Sequence, residues 1–145
     1  MTPNNIVNMA FIKGLDIIAV TDHNACHHSR AIDALASKLG ILAIPGMEVQ
    51  TKEEVHMLCY FPTVDLLEAF DASLMPKKAK IKNNIKIFGN QSILDENDAL
   101  IGEVEDALIM SINISIEELV ALVETFKGAL VPAHVNKSSN SILAN

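Results

Sequence analysis

Four places in this 145-residue chain set metal-ligand side chains against apolar runs. Thr21-Asp22-His23-Asn24 follows Ile17-Ile18-Ala19-Val20. Glu48 comes just after Ile41-Leu42-Ala43-Ile44 and the dipeptide Pro45-Gly46. His56 lies inside the run Val55–Phe61, and His134 closes Leu130-Val131-Pro132-Ala133. A buried carboxylate or imidazole costs several kcal/mol unless it is paired or bound to metal. Imidazole and carboxylate with no thiolate among them suit Zn, Mn or Fe in a hydrolytic site. A carboxylate such as Glu48 can bridge two ions, and water bound there loses a proton near neutral pH and becomes a nucleophile. Each residue also has a plainer role. Asp22 could cap a helix, His56 could be a hydrogen-bonded core histidine, Glu48 a surface charge after a turn, and His134 a strand-end residue.

The elements that must position these groups are short. Val20 and Ile44 end β-branched runs that read as buried strands over 15–20 and 41–44, the second broken by Pro45-Gly46 and continuing extended to Gln50. A third strand is expected over 55–61 and a last one over 129–132. Helices are expected over 3–13, 27–39, 64–74 and 115–126. The first has Thr2 as cap and Pro3 at the opening position, and the last begins with the capping box Ser115-x-x-Glu118. Helices that alternate with short buried strands give an α/β class with mostly parallel pairing. In such folds the carboxyl ends of strands share one face. Residues 22, 23, 48 and 134 are therefore expected to converge. Residues 75–112 break the rhythm and read as an insertion with a hairpin around Asp95-Glu96-Asn97-Asp98.

Two other polar stretches carry less weight. Cys26-His27-His28 lacks a completing cluster and reads as an exposed helix start. Lys77, Lys78, Lys80 and Lys82 could steer anions but read as a solvated loop.

The length suits one domain, so 1–145 is treated as a single, incomplete one. Net charge is −7, which makes nucleic acid an unlikely partner and argues against an anionic membrane. No apolar stretch approaches the ~18 residues of a membrane span, and Met1-Thr2-Pro3-Asn4-Asn5 has no basic leader. The two cysteines form no framework, so a cytoplasmic setting is expected.

Thr21-Asp22-His23-Asn24, Gly46-Met47-Glu48-Val49-Gln50-Thr51, Val55–Phe61 and Pro132-Ala133-His134, in this order, resemble the PHP family (polymerase and histidinol phosphatase domains). The likeness runs from residue 2 to about 140. It implies a distorted, TIM-like (β/α)7 barrel, here partial, with two or three divalent ions and phosphoester hydrolysis. By motif, His23 would bind one ion, Glu48 would bridge two, and His56 and His134 would hold the second of that pair. Asp22 joins Glu48 as a candidate catalytic carboxylate, in a ligand-orienting role. Lys137, close after His134, is the candidate phosphate-binding residue. The His-x-His and Asp-x-His motifs of the family are absent, so this piece is expected to be inactive or nearly so, with an intact parent that acts on a small phosphorylated metabolite or nucleotide. The alternatives are a non-catalytic PHP-type regulatory or interaction module and an amidohydrolase-like C–N hydrolase.

Overall fold

The structure, a computed structural model, describes residues 1–143. Its first helix, α1 (Pro3–Ile12), starts as the sequence dictates. The Thr2 hydroxyl accepts from the Asn5 N–H, and proline stands where no intrahelical donor is needed. Strand β1 (Ile17–His23) carries Asp22 and His23 as its last two residues rather than just beyond its end. Helix α2 (Ser29–Lys38) returns the chain to β2 (Leu42–Gln50).

Pro45 does not break β2. Its carbonyl accepts from Phe61 N–H, and the ladder to the next strand begins one residue later, so the donor that proline lacks falls outside the ladder. Gly46 is needed here for space. A Cβ would come within 3.0 Å of the Cys59 carbonyl and of the Tyr60 ring.

Strand β3 (His56–Tyr60) corrects the expectation of mostly parallel pairing. The strand order is β1, β2, β3 and then β6 (Ala129–Pro132). Only β1 and β2 are parallel; β2–β3 and β3–β6 are antiparallel. The cause is the connection. The turn at 51–55, closed by Thr51 N–H to Val55 carbonyl, is too short for the crossover that parallel strands require. The sheet has four strands and does not show the closed parallel barrel that the motif likeness implied.

Two apolar layers cover one side of this sheet. Val7 and Ala10 of α1 and Ile32 and Ala36 of α2 pack with Ile41 against Ile18, Val20 and Ala43. Helix α3 (Val64–Leu74) and helix α5 (Ile116–Thr125) bring Leu67, Phe70, Leu119 and Val123 onto Met47, Val49, Met57 and Cys59. Helix α5 opens with the expected reciprocal capping box. The other sheet face, one residue out of phase, leaves Ile17, Leu42 and Val131 exposed. Among the described residues no helix is long and apolar enough to cross a membrane.

Between α3 and α5 the chain makes the excursion foreseen at 75–112. A 3-10 turn (Met75–Lys77) and a single turn of helix, α4 (Ile85–Phe88), precede the hairpin of β4 (Ser92–Leu94) and β5 (Leu100–Glu103). The hairpin is antiparallel, with Asp95–Asp98 as its turn, as expected. Asp98 at its tip reaches back to the start of α1, accepting from the Thr2 hydroxyl at 2.7 Å and from the Asn4 N–H at 3.2 Å.

Candidate metal centre

The mixed sheet gathers the candidate ligands at one end. His23 and Glu48 are register partners on β1 and β2, and Gln50 and His56 are partners on β2 and β3. Because β3 runs backwards, His56 sits at its start, and that start lies at the same sheet end as the exits of β1 and β2. Strand β6, antiparallel to β3, runs forward again and delivers His134 there. His23, Glu48 and Gln50 alternate onto one side of the sheet, away from Met47 and Val49 in the core.

Glu48 is the centre of the cluster. Its Oε2 lies 3.0 Å from His23 Nδ1. Its Oε1 lies 3.4 Å from His56 Nδ1 and 3.5 Å from His134 Nε2. The two carboxylate oxygens thus face different imidazoles. The histidine rings stand 4.9 Å (His23–His56) and 5.6 Å (His56–His134) apart. His134 has φ 51°, a left-handed backbone that turns its side chain off the strand line.

The electrostatics suit cation ligation. The hydrogen bond from His23 holds the Glu48 carboxyl below its ordinary range, against the opposing effect of burial. Burial pushes the His56 imidazole down, so it favours the neutral form with a lone pair to give. His56 Nδ1 is buried, and its approach to Glu48 Oε1, at 3.4 Å, is long for a hydrogen bond. Ligand atoms around a tetrahedral ion at about 2.1 Å stand about 3.4 Å from one another. The Glu48 Oε1 contacts match that spacing, and ligand atoms of His23, Glu48 and His56 all lie within 4.8 Å of one another. The donor set and the unpartnered His56 nitrogen fit a divalent ion.

Other expected site residues lie elsewhere. Asp22 alternates to the opposite side of β1, where its Oδ2 meets His28 Nδ1 at 2.9 Å; His28 Nε2 accepts from the Leu94 N–H. Lys137 is exposed, its N–H closing a turn onto the His134 carbonyl. In the Cys26-His27-His28 stretch His27 is exposed and His28 stands at the cap of α2, as expected of a helix start, but Cys26 is not exposed. Cys26 is buried, and burial with the nearby Asp71 carboxylate pushes its thiol up to about 12. Lys80 and Lys82 are exposed, as a solvated loop requires, with Asp106 and Glu105 beside them; Lys77 pairs with Glu118, and the largely buried Lys78 pairs with Asp71.

Sequence reasoning gave no role to two residues that touch this site. Gln50 Oε1 stands 3.2 Å from His23 Nε2. The signal was its period-two spacing from Glu48. Asn24 is 2% exposed and bonds to β2 at the Glu48 carbonyl and the Gln50 N–H. It was visible as the last residue of the first motif.

No family model matches the chain. Over 51 residues it is 33% identical to an uncharacterised protein of Methanocaldococcus jannaschii, a stretch that covers 35% of this chain and 30% of that protein. Its fold is similar to that of the lesion-specific endonuclease of Pyrococcus furiosus, with TM-score 0.63, 20% identity, and coverage of 98% of this chain and 32% of that one. It is similar also to Endonuclease Q in complex with a 27-mer duplex substrate bearing an abasic lesion, with TM-score 0.63, 21% identity and the same coverage. A Bifidobacterium adolescentis protein assigned as a metal-dependent phosphoesterase matches with TM-score 0.62 and 17% identity, over 94% of this chain and 63% of that one. The chain spans about a third of the endonucleases and less than two thirds of the phosphoesterase. These likenesses support the PHP-type fold that the motif order suggested.

They also correct one expectation. The charge argument made nucleic acid an unlikely partner, yet a protein of this fold is solved with duplex DNA at its active site. Net charge is a sum over a whole chain, whereas phosphate contacts are local, and bound cations reverse the field where they sit.

Proposed function

We propose that this protein is a metal-dependent phosphoesterase whose ions lie at the end of the mixed sheet. The observation that carries the reading is the divided Glu48 carboxylate, with Oε2 toward His23 and Oε1 toward His56 and His134. His23 would hold one ion, His56 and His134 a second, and Glu48 would join both. When bound, Zn, Mn or Fe supplies the positive charge that polarises a phosphoryl oxygen and acidifies water. Glu48 contributes a carboxylate that stays ionised at neutral pH. His56 contributes a neutral imidazole that burial keeps unprotonated. Asp22 orients His28 rather than a ligand, so its contribution is to shape the wall beside His23. Proteins of similar fold include a metal-dependent phosphoesterase and a lesion-specific endonuclease, and both kinds of enzyme cleave phosphoesters.

The test is ion content by elemental analysis after loading with Zn or Mn, with hydrolysis of p-nitrophenyl phosphate and of its bis ester as separate assays. The expected result is bound metal that His23→Ala reduces and Glu48→Ala abolishes, with little turnover by this piece and turnover of at least one ester by a protein that also carries the His-x-His and Asp-x-His motifs. Unchanged stoichiometry in both variants would refute the site. Turnover of the monoester alone, or of the diester alone, identifies the class of bond cleaved.

A further inference from the structure

Asn24 follows His23 directly and holds a conformation that few side chains accept. Its φ is 52°, in the left-handed region where Asn is among the residues best tolerated. All its polar groups are used, which is needed at 2% exposure. Its N–H donates to the Glu48 carbonyl at 2.7 Å, and its Oδ1 accepts from the Gln50 N–H at 2.9 Å. These two bonds grip β2 immediately after the Glu48 Cα, one on each side of Val49. Its amide donates to the carbonyls of Leu108 at 2.8 Å and Met110 at 3.0 Å. Its own carbonyl accepts from Lys78 Nζ at 2.9 Å. These three bonds reach into the 75–112 excursion. The Ile112 N–H adds a direct bond to the Gln50 carbonyl at 2.8 Å.

One buried amide therefore joins the strand that carries Glu48, the residue next to His23, and a segment over 80 positions away in sequence. We propose that Asn24 is a positioning residue that couples docking of the excursion to the placement of His23 and Glu48, so that a docked excursion and a bound divalent cation stabilise each other. This rests on the metal-centre reading above. The left-handed step at residue 24 turns the chain off β1 immediately after His23, and the five bonds fix that turn. Releasing the excursion removes three of them and leaves the carbonyls of Leu108 and Met110 without this partner. The backbone from which the Glu48 carboxylate projects is then held less firmly. Coupling of this kind is reciprocal: the factor by which docking raises cation affinity is the factor by which the cation favours docking. The excursion also walls a cavity of about 420 Å³ whose lining includes Asp22, His23 and His28 beside Phe88, Gln91 and Val104. Docking thus sets the shape of the space next to the site.

Two variants separate the bonds. Asn24→Asp keeps an oxygen for the Gln50 N–H but loses both donations to Leu108 and Met110. Asn24→Gly keeps the left-handed backbone and loses every side-chain bond. Each is compared with the unaltered chain by hydrogen-exchange mass spectrometry over 104–112, with and without Mn or Zn, and by calorimetric titration with the same ion. The expected result has three parts. In the unaltered chain, the ion slows exchange over 104–112. In both variants, exchange there is faster without ion while α3 and α5 are unchanged. In Asn24→Gly, cation affinity falls about 10–100-fold, the range seen when a group that supports metal ligands is removed.

Exchange over 104–112 equal to that of the unaltered chain in both variants overturns the proposal. So does faster exchange with cation affinity within about twofold of the original, since docking would then be uncoupled from the ligands. If the unaltered chain binds no ion, the metal-centre reading fails and the coupling with it. If it binds and the variants bind equally, the coupling alone fails. Far-UV circular dichroism checks that each variant is folded, and Asn24→Asp serves if the glycine variant is not.

Discussion

Two polar clusters lie on either side of Asn24, and they are built on opposite rules. In one, Lys78 Nζ is held by Asp71 Oδ1 at 2.6 Å and by the Asn24 carbonyl, while Cys26 lies beside the same carboxylate. Its charges cancel and its donors find acceptors. In the other, three imidazoles surround the single carboxylate of Glu48, and the buried His56 Nδ1 finds no hydrogen-bond partner. The first is largely buried and the second partly so, with His134 open to solvent, and an uncompensated polar group costs more the deeper it lies. The first cluster is complete as protein and holds the excursion in place. The second has more donors of lone pairs than protons to share, the electronic condition of a cation site. Buried polarity alone therefore does not distinguish the two clusters; the missing hydrogen-bond partner of His56 Nδ1 does.

The sharpest way to break this contrast is to remove the central carboxylate from each cluster in parallel. Asp71→Ala leaves Lys78 buried and without its counter-charge. The expected cost is about 3–5 kcal/mol in urea unfolding, with ion stoichiometry of the folded protein retained. Glu48→Ala should do the reverse, costing only about 1 kcal/mol in metal-free protein for the lost hydrogen bond while eliminating ion binding. If both variants lose stability equally and both keep the ion, the two clusters are alike and the contrast fails.

A smaller effect is expected with pH. Burial holds His56 below its usual value, so the unfolded chain takes up that proton first as pH falls through about 6.5. Glu48, held low chiefly by His23, acts in the same direction further into acid, because the unfolded carboxyl protonates first. The contribution of both groups to stability is thus present above about pH 6.5 and lost as pH falls. Urea midpoints of metal-free protein should decline below that point. An added divalent ion should push the decline to lower pH, because proton and cation compete for the same lone pairs. A midpoint indifferent to pH between 7 and 4 would contradict the assignment of these environments.

Much of this was legible in the chain. Apolar runs and caps located the main strands and helices, and the hairpin at 92–101 followed from its turn residues. Strand direction was not legible. Nothing in Val55–Phe61 says which way it runs; only the shortness of the connection from Gln50 does. The error did not scatter the candidate ligands, because reversing β3 put His56 at the sheet end where His23 and Glu48 lie. Asp22 went astray for a related reason: adjacent strand residues face opposite ways, so Asp22 and His23 could not both reach Glu48. The burial of Cys26 and Lys78 was missed because what they pack against, Asp71 and Asn24 among it, is not set by local spacing.

The tight antiparallel link between β2 and β3 also bears on how the molecule comes together in time. Glu48 and His56 meet by closing a short loop, whereas His134 must come in across the excursion and α5. With the logarithmic growth of closure entropy, seating His134 against Glu48 costs about 2 kcal/mol more than seating His56 there. The hairpin should therefore acquire its native pairing early, and β6 should join last. Pulse-labelled exchange during refolding would show amides of Met57 and Cys59 protected before those of β6, and simultaneous protection would refute this order. A chain that assembles its ligands in this sequence has a half-built site while the last strand is still arriving.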